Sequence, residues 1–456
     1  MAKHKPNPAE LINRAVELHR GNQIEAAEKL YREALALEPF NADALNLLGV
    51  IERQRENYAE AITLLEQAVA KGKGNPNLAD FHNNLGECYR AQCQFVKALD
   101  SYDRALKLRP RFDSAIYNKG NLLQQTAHNA EAIACYEQVL AINPHHVKAQ
   151  FAISISELLL ENFSRGWSLY QWRLRTKPAQ FPVPNVSTFI DAPPDLQGKR
   201  LLLVHEQGLG DEIFFLRFLP RLRELGAQVS YWPSDKLRPL LAATSTLTLA
   251  DQNTNLAQFD LCFSVSDAAL LARMTRVEDI PGNLKLKLNS EIANPLANIG
   301  VTLPRPWIGI SWRAGTTGSY FKQVPLELLL QVFPHFTGTL FILQRNPNPE
   351  ELALIQSELP QITSIDCSDL NDDLCGALWL LNQLDHYVCV SNTNLHLRHC
   401  LRKRCEVLAP VAGDFRWPNT RDNSPWFSNC PVYHQQHDGD WLSALGEVQH
   451  SLGLRT

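Results

Sequence analysis

The sequence predicts an α + α/β architecture: an N-terminal α-solenoid of helical hairpins, then a pair of Rossmann-type α/β lobes. Three observations carry this reading. A pattern of small and aromatic residues recurs over residues 8–175, with Pro110 and Pro144 one period of 34 residues apart. A proline-rich stretch without helical periodicity follows at 176–197. Beyond it, short strand-like apolar runs alternate with helical ones, the arrangement of parallel sheets. The expected domains are therefore a solenoid at 8–175, a linker at 176–197, one lobe at 198–300 and a second at 301–456.

The solenoid reads as four repeats plus a degenerate fifth. Ala27, Tyr31 and Ala34 fall in the second helix of the first unit. The second unit carries Leu48-Gly49 and then Ala61, Leu65 and Ala68. The third carries Leu85-Gly86, Tyr89, Ala98, Tyr102, Ala105 and Pro110, and the fourth Gly120, Leu123, Ala132, Tyr136 and Pro144. Glycine and alanine let paired helices approach, aromatics fill the space between hairpins, and proline closes the second helix. One hairpin cannot bury its apolar face alone, so such units stack. The 34-residue period is the tetratricopeptide length. In the fifth unit, Trp167, Tyr170 and Trp172 are expected to seal the solenoid's end. Such a solenoid presents a groove for a protein or peptide partner. Asn84, Asn118 and Asn121 on first helices are either peptide-backbone ligands or ordinary surface asparagines.

Composition narrows the function classes. The 456 residues are 45% hydrophobic and 20% charged, with net charge −4, which lacks the basic excess of a general nucleic-acid binder. No run approaches the ~20 apolar residues of a membrane span. The opening MAKHKPNPAE has no apolar secretory segment. Ten cysteines are scattered without C-x-x-C spacing, and read as reduced thiols in a cytoplasmic protein.

In the second half, RLLLVHE (200–206), QVSYW (228–232) and FDLCFSV (259–265) read as strands. GLGD reads as a tight turn and EIFFLRFLPRLRELG as a helix. The next lobe has strands at 306–312, 339–345, 362–366, 386–392 and 405–410, with helices between them. Residues 281–305 join the lobes. Ligands of open parallel sheets bind beyond the carboxyl ends of the strands. The loops that matter are then 205–212, 313–324, 345–349, 391–396 and 410–418.

Four motifs lie in those loops. In His205-Glu206-Gln207-Gly208-Leu209-Gly210-Asp211-Glu212, a glycine turn leads a strand into a helix whose N-terminus can meet an anion or acceptor. Asp211 is either a dipole-favoured carboxylate of the first turn or a general base. Arg313 to Lys322 carries two cations, two glycines and several hydroxyls. It is suited to a diphosphate through Arg313, Thr316, Thr317 and Lys322, or is a solvated loop. Ser391-Asn392-Thr393-Asn394-Leu395-His396 is again strand to helix. Its Asn394 or Thr393 reads as a cap or as a phosphate ligand, and its His396 as a core histidine or a cleft residue. Asp414-Phe415-Arg416-Trp417-Pro418 and Ser424-Pro425-Trp426-Phe427 supply aromatics that either cross between lobes or stack on a ligand.

Together, LLLVHEQGLGDEIFFLRFLPRL, SNTNLHLR, DFRWP with NSPWF, and HDGDW resemble bacterial tetratricopeptide proteins with a C-terminal module similar to the heptosyltransferases (glycosyltransferase family 9-like). The resemblance spans essentially the whole chain. It implies a two-lobed GT-B fold and sugar transfer from a nucleotide-diphosphate donor, with no cofactor and no required metal. It further implies Asp211 as the base deprotonating the acceptor, with Gly208, Gly210 and Glu212 on the acceptor side. Arg313, Thr316, Thr317, Lys322, Asn392, Thr393, Asn394 and His396 would lie on the donor. The chain reads Asn392-Thr393-Asn394 where that family usually has Asp-Thr-small. The expected function is a glycosyltransferase whose repeats present a protein or glycan acceptor. The alternative is a non-catalytic tetratricopeptide scaffold with a degenerate, nucleotide-sensing module.

Overall fold

The computed structural model describes residues 7–176, 179–290, 292–297, 302–314, 323–411, 414–419, 423–436 and 439–454. The chain forms two compact units, Met1–Ala152 and Ile153–Thr456.

The first unit is a series of antiparallel hairpins: α1 (Pro8–Arg20) with α2 (Ile24–Leu37), α3 (Ala42–Gln54) with α4 (Tyr58–Lys71), α5 (Leu78–Ala91) with α6 (Phe95–Leu108), and α7 (Asp113–Gln125) with α8 (Asn129–Ile142). The repeat register read from sequence is physical. Ala27, Tyr31, Ala61, Leu65, Ala98, Tyr102, Ala132 and Tyr136 are fully buried. Each first-helix glycine faces the large residue of its second helix. A Cβ at Gly49 would lie 2.8 Å from Leu65 Cγ, one at Gly86 2.6 Å from Tyr102 Cε1, and one at Gly120 2.7 Å from Tyr136 Cε1. The groove asparagines are partly committed to the scaffold itself. Asn84 Nδ2 donates to Asn46 Oδ1 (2.9 Å), Asn118 Nδ2 to Asn83 Oδ1 (3.0 Å), and Asn121 Oδ1 accepts from Tyr136 O–H (3.0 Å). The first two bonds run between neighbouring first helices and tie repeats together.

The unit boundary falls within α9 (Val147–Leu159), earlier than the expected 175. Helices α10 (Phe163–Tyr170) and α11 (Arg173–Thr176) belong to the second unit. Trp167 is 2% exposed because it sits edge-on against Phe215, Phe218, Phe415 and Trp426, at centroid distances of 5.4–6.4 Å. Tyr170 joins the same cluster through Phe215 and Phe415.

The second unit contains two parallel sheets. The smaller has the order β2–β1–β3, from β1 (Arg200–Val204), β2 (Gln228–Trp232) and β3 (Leu261–Ser264). The larger comprises β4 (Trp307–Ser311), β5 (Thr339–Ile342), β6 (Thr363–Asp366), β7 (His386–Val390), β8 (Glu406–Ala409) and β9 (Val432–His434). Its order is β6–β5–β4–β7–β8–β9, parallel throughout. That is the doubly wound order, in which successive strands are added on one side of β4 up to β6 and on the other side from β7 onward. β9 was not anticipated, because three residues beside prolines carry no readable alternation. The expected single helix after β1 is broken into α12 (Leu209–Phe215), one 3₁₀ turn at 216–218 and α13 (Leu219–Glu224), where Pro220 occupies the start of α13. The remaining helices are α14 (Arg238–Thr244), α15 (Ala268–Leu271), α16 (Leu326–Leu330), α17 (Pro349–Glu358), α18 (Leu374–Gln383), α19 (Thr393–Cys400) and α20 (Leu442–Ser451). No helix among the described residues is long and apolar enough to cross a membrane.

Candidate active site

The strand order switches side at β1 and between β4 and β7, which opens crevices at the carboxyl ends of those strands. The sequence places its polar loops there. A cleft of about 680 Å³ is lined by Gly208, Leu209, Gly210 and Asp211 from the first sheet. Arg313, Ala314, Leu343–Asn346, Asn371, Ser391–Asn394, His396 and Arg416 come from the second.

The first wall is held from beneath. GLGD is not a tight turn: α12 begins at Leu209, so Gly210 and Asp211 lie in its first turn. The tight geometry sits one residue earlier, at Gln207, whose φ of 65° is left-handed. That conformation costs a non-glycine residue on the order of 1 kcal/mol or more. Gln207 Nε2 is anchored to Ser266 Oγ (3.0 Å) and Tyr170 Oη (3.3 Å). Below it, Arg173 of α11 grips Glu206 through Nε (3.0 Å) and Nη2 (2.7 Å), and Asp267 through Nη1 (2.7 Å). Ser264 O–H also donates to Glu206 (2.6 Å). Burial would depress the Arg173 guanidinium, but the two carboxylates outweigh it and hold it fully protonated. Burial also pushes the Asp267 carboxyl above its usual range, against the pull of Arg173.

Asp211 stands at the cleft wall. Its Oδ1 accepts from Arg416 Nη1 at 2.7 Å, and its Oδ2 is 3.4 Å from the Gly208 amide. Arg416 simultaneously donates Nε and Nη2 to the two oxygens of Asp414, both at 2.8 Å. Burial alone would lower this guanidinium, yet Asp414 and Asp211 hold it well above its ordinary value. Glu212 departs from expectation. It is 1% exposed, faces away from the cleft, and accepts from Tyr231 O–H (2.7 Å) and the Ser234 amide (3.2 Å). Burial raises its pKa, and its role is to fasten α12 to β2.

On the second wall, the N-cap of α19 is Asn392, not Thr393 or Asn394 as expected, since both of those lie within the helix's first turn. Asn392 Oδ1 accepts from the Leu395 amide (3.0 Å) and its Nδ2 donates to Ser311 Oγ (2.6 Å). Asn392 is thereby spent on the fold, leaving Thr393 open to the cleft. Asn394 is 2% exposed, and its Nδ2 donates to Leu343 O (3.3 Å) and Asn371 Oδ1 (3.1 Å). His396 is 3% exposed, with its ring edge-on to Phe214 and Phe427. Burial first, then Arg416 and Arg217, drive its pKa far below the usual histidine value, so the imidazole is neutral. It lies so close to α12 that a Cβ on Gly210 would approach its Cδ2 to 3.0 Å, which explains the glycine. Arg313 pairs with Glu351 and donates to Asn346 O (2.6 Å). Thr316, Thr317 and Lys322 lie outside the described residues.

Among its described residues the lining carries three arginines (313, 345 and 416) and one carboxylate, Asp211, while Glu351 and Asp414 pair with Arg313 and Arg416 from outside it. A second cavity of about 740 Å³ is lined by Glu327, Glu350 and Glu351 with Trp312 and Trp441, and has no cation among its described lining residues. Of the two cavities, only the first offers cations among its described lining residues to meet an anionic ligand. Sequence reasoning missed Arg345, Asn371 and above all Arg416. The DFRWP motif was noticed, and its aromatics do pack between lobes, with Phe415 against Phe214 and Trp426. The arginine in its midst reaches Asp211 across 205 positions, which no local pattern reveals.

Comparisons with known proteins bear mainly on the repeats. The tetratricopeptide repeat family matches residues 40–111 and 113–146. FlbA of Caulobacter vibrioides is 25% identical over 466 aligned positions, covering 95% of this chain and 76% of that protein. Mouse protein O-mannosyl-transferase TMTC1 is 29% identical over 144 positions, covering 31% of this chain and 14% of that protein. Among solved structures, YrrB, described as a tetratricopeptide protein with an unusual peptide-binding site, is 25% identical over 38% of this chain and 87% of its own, with a TM-score of 0.32. The N-terminal region is built of tetratricopeptide repeats, and the chain resembles FlbA along nearly its whole length.

Proposed function

We propose that the second unit is a GT-B-type glycosyltransferase module that moves a sugar from a nucleoside-diphosphate donor to an acceptor, with the repeats binding the protein or glycan that is modified. The single observation that carries this is the cleft at the two switches of strand order. There a carboxylate from one sheet faces an arginine-rich wall and the N-terminus of α19 from the other. In this reading Asp211 takes the proton of the acceptor hydroxyl. Arg313, Arg345, Lys322, Thr316, Thr317 and the Thr393 end of α19 hold the diphosphate as it departs. Neutral His396 offers a hydrogen bond without adding charge. The mouse and human relatives named protein O-mannosyl-transferase accord with a protein acceptor, over 14% of their length.

A second reading, a non-catalytic scaffold that senses a nucleotide, is favoured by the committed state of Asn392 and by the ion pair on Asp211. The two separate in one experiment. The full chain is titrated by calorimetry with nucleoside diphosphates and nucleotide sugars, and then assayed for sugar transfer and donor hydrolysis. Saturable binding that weakens in Arg313→Ala and Lys322→Ala, with turnover lost in Asp211→Ala, supports the transferase. Binding without turnover selects the sensor. No binding by the folded protein removes the nucleotide from both readings.

A further inference from the structure

The ion pair on Asp211 poses a chemical problem. Oδ1 of this carboxylate already accepts a guanidinium N–H at 2.7 Å, so the lone pair facing Arg416 is engaged before any acceptor arrives. The environment of Arg416 suggests the solution. Asp414 binds this guanidinium through both of its oxygens at 2.8 Å and lies only two residues away. Arg416 thus keeps a bidentate counter-charge whether or not Asp211 is present. The Nη1 group that reaches Asp211 is a third, separable contact, and Arg416 lines the same cleft as Arg313 and Arg345.

We infer that Arg416 is an anion-exchange lock on Asp211: the diphosphate of an incoming donor takes over Arg416 Nη1, and this frees the Asp211 carboxylate to act as base. The inference rests on the transferase reading above and adds an order of events to it. With the cleft empty, Asp211 neutralises Arg416 and the base is masked. With a diphosphate bound, two negative charges near Nη1 outcompete one, and Asp211 is released. Then the acceptor oxygen attacks the anomeric carbon as its proton passes to Asp211. The carbon–oxygen bond to the diphosphate breaks, and its electron pair leaves on the phosphate oxygen, held by Arg416. The base becomes active only when a donor is present to react, so donor binding precedes acceptor activation.

The distinguishing consequence is that Asp211 and the ligand compete. The test is calorimetric titration of the full chain with UDP, GDP, ADP and inorganic pyrophosphate. Wild type is compared with Asp211→Asn, Arg416→Lys and the double variant, each first checked for native circular dichroism. Asp211→Asn removes the competing charge while keeping the shape, and should bind its diphosphate roughly tenfold more tightly, the value of one charge-assisted hydrogen bond. Arg416→Lys cannot serve Asp414 in a fork and the ligand together, and should bind about tenfold more weakly. In its background the Asp211→Asn gain should disappear. If Arg416→Lys fails to fold, Asp211→Asn alone decides. Unchanged or weaker binding by Asp211→Asn overturns the lock while leaving the transferase reading standing. No diphosphate binding by wild type overturns both. An equal response with pyrophosphate and with a nucleotide assigns the exchange to the diphosphate itself, and a response to nucleotides alone assigns it to a base-anchored ligand. Either result supports the lock.

Discussion

Replacing Arg173 by methionine should unfold the second unit more readily by several kcal/mol. The side chain is 6% exposed and makes three charge-assisted bonds of 2.7–3.0 Å to Glu206 and Asp267. Methionine fills most of the volume and makes none of these bonds. Two carboxylates with 7% and 4% side-chain exposure are then left without their cation. Breaking a buried ion network in this way costs about 3–5 kcal/mol. Adding Glu206→Gln and Asp267→Asn removes the stranded charges and should restore about half or more of the loss. The sign with pH follows from Asp267, whose folded-state pKa is raised by burial. A raised carboxyl contributes most below its unfolded value, near ~4, and that contribution is lost as pH climbs through the folded value. Arg173→Met raises Asp267 further, so its deficit should shrink as pH falls from neutral toward the ordinary carboxylate range. The assay is urea denaturation followed by tryptophan fluorescence, because every tryptophan from Trp167 to Trp441 lies in the second unit and the repeats are silent. A deficit below about 1 kcal/mol at neutral pH, or one independent of pH, would refute the reasoning.

Four further outcomes can be checked. Asp211→Ala should lower turnover by roughly 10²–10⁴-fold, as loss of a general base does, without weakening donor binding; unchanged turnover in a steady-state assay would remove its catalytic role. Gly210→Ala presses a methyl against His396, which Phe214 and Phe427 confine, and should cost about 1–3 kcal/mol in the same fluorescence titration; a stabilised variant would mean that the ring gives way. Gly86→Ala drives a carbon to 2.6 Å from the Tyr102 ring and should destabilise the repeats by about 2 kcal/mol, read from circular dichroism, while leaving the tryptophan transition in place. Burial pushes the thiols of Cys88, Cys367 and Cys400 up to about 12; iodoacetamide with mass-spectrometric readout should spare these in the native protein and modify Cys93, Cys262 and Cys375 first.

The repeats were legible because their chemistry is local. Ala98, Tyr102 and Ala105 are four and three residues apart on one helix face, and helical periodicity alone sends them inward. Strand–loop–helix alternation likewise announced two parallel sheets, and the carboxyl-end rule pointed to loops 205–212 and 391–396, whose residues line the cleft. What periodicity could not give was the other side of each contact. Whether Glu212 or Asp211 faces the cleft depends on which side of α12 meets β2, and Tyr231 settles it by drawing Glu212 into the core. Whether Asn392 binds a ligand or caps a helix depends on Ser311, which arrives from another strand to take its amide. Trp167 reads as the end of a solenoid until Phe415 and Trp426, far along the chain, are seen around it. Arg416 looks like a charge among packing aromatics until Asp211 appears opposite. The sequence by itself determined the elements and the loops that carry polar chemistry, since both follow from neighbours within a turn or two. Only the tertiary structure decided which polar groups were left for a ligand, because a side chain's availability is set by partners that the fold brings from hundreds of residues away.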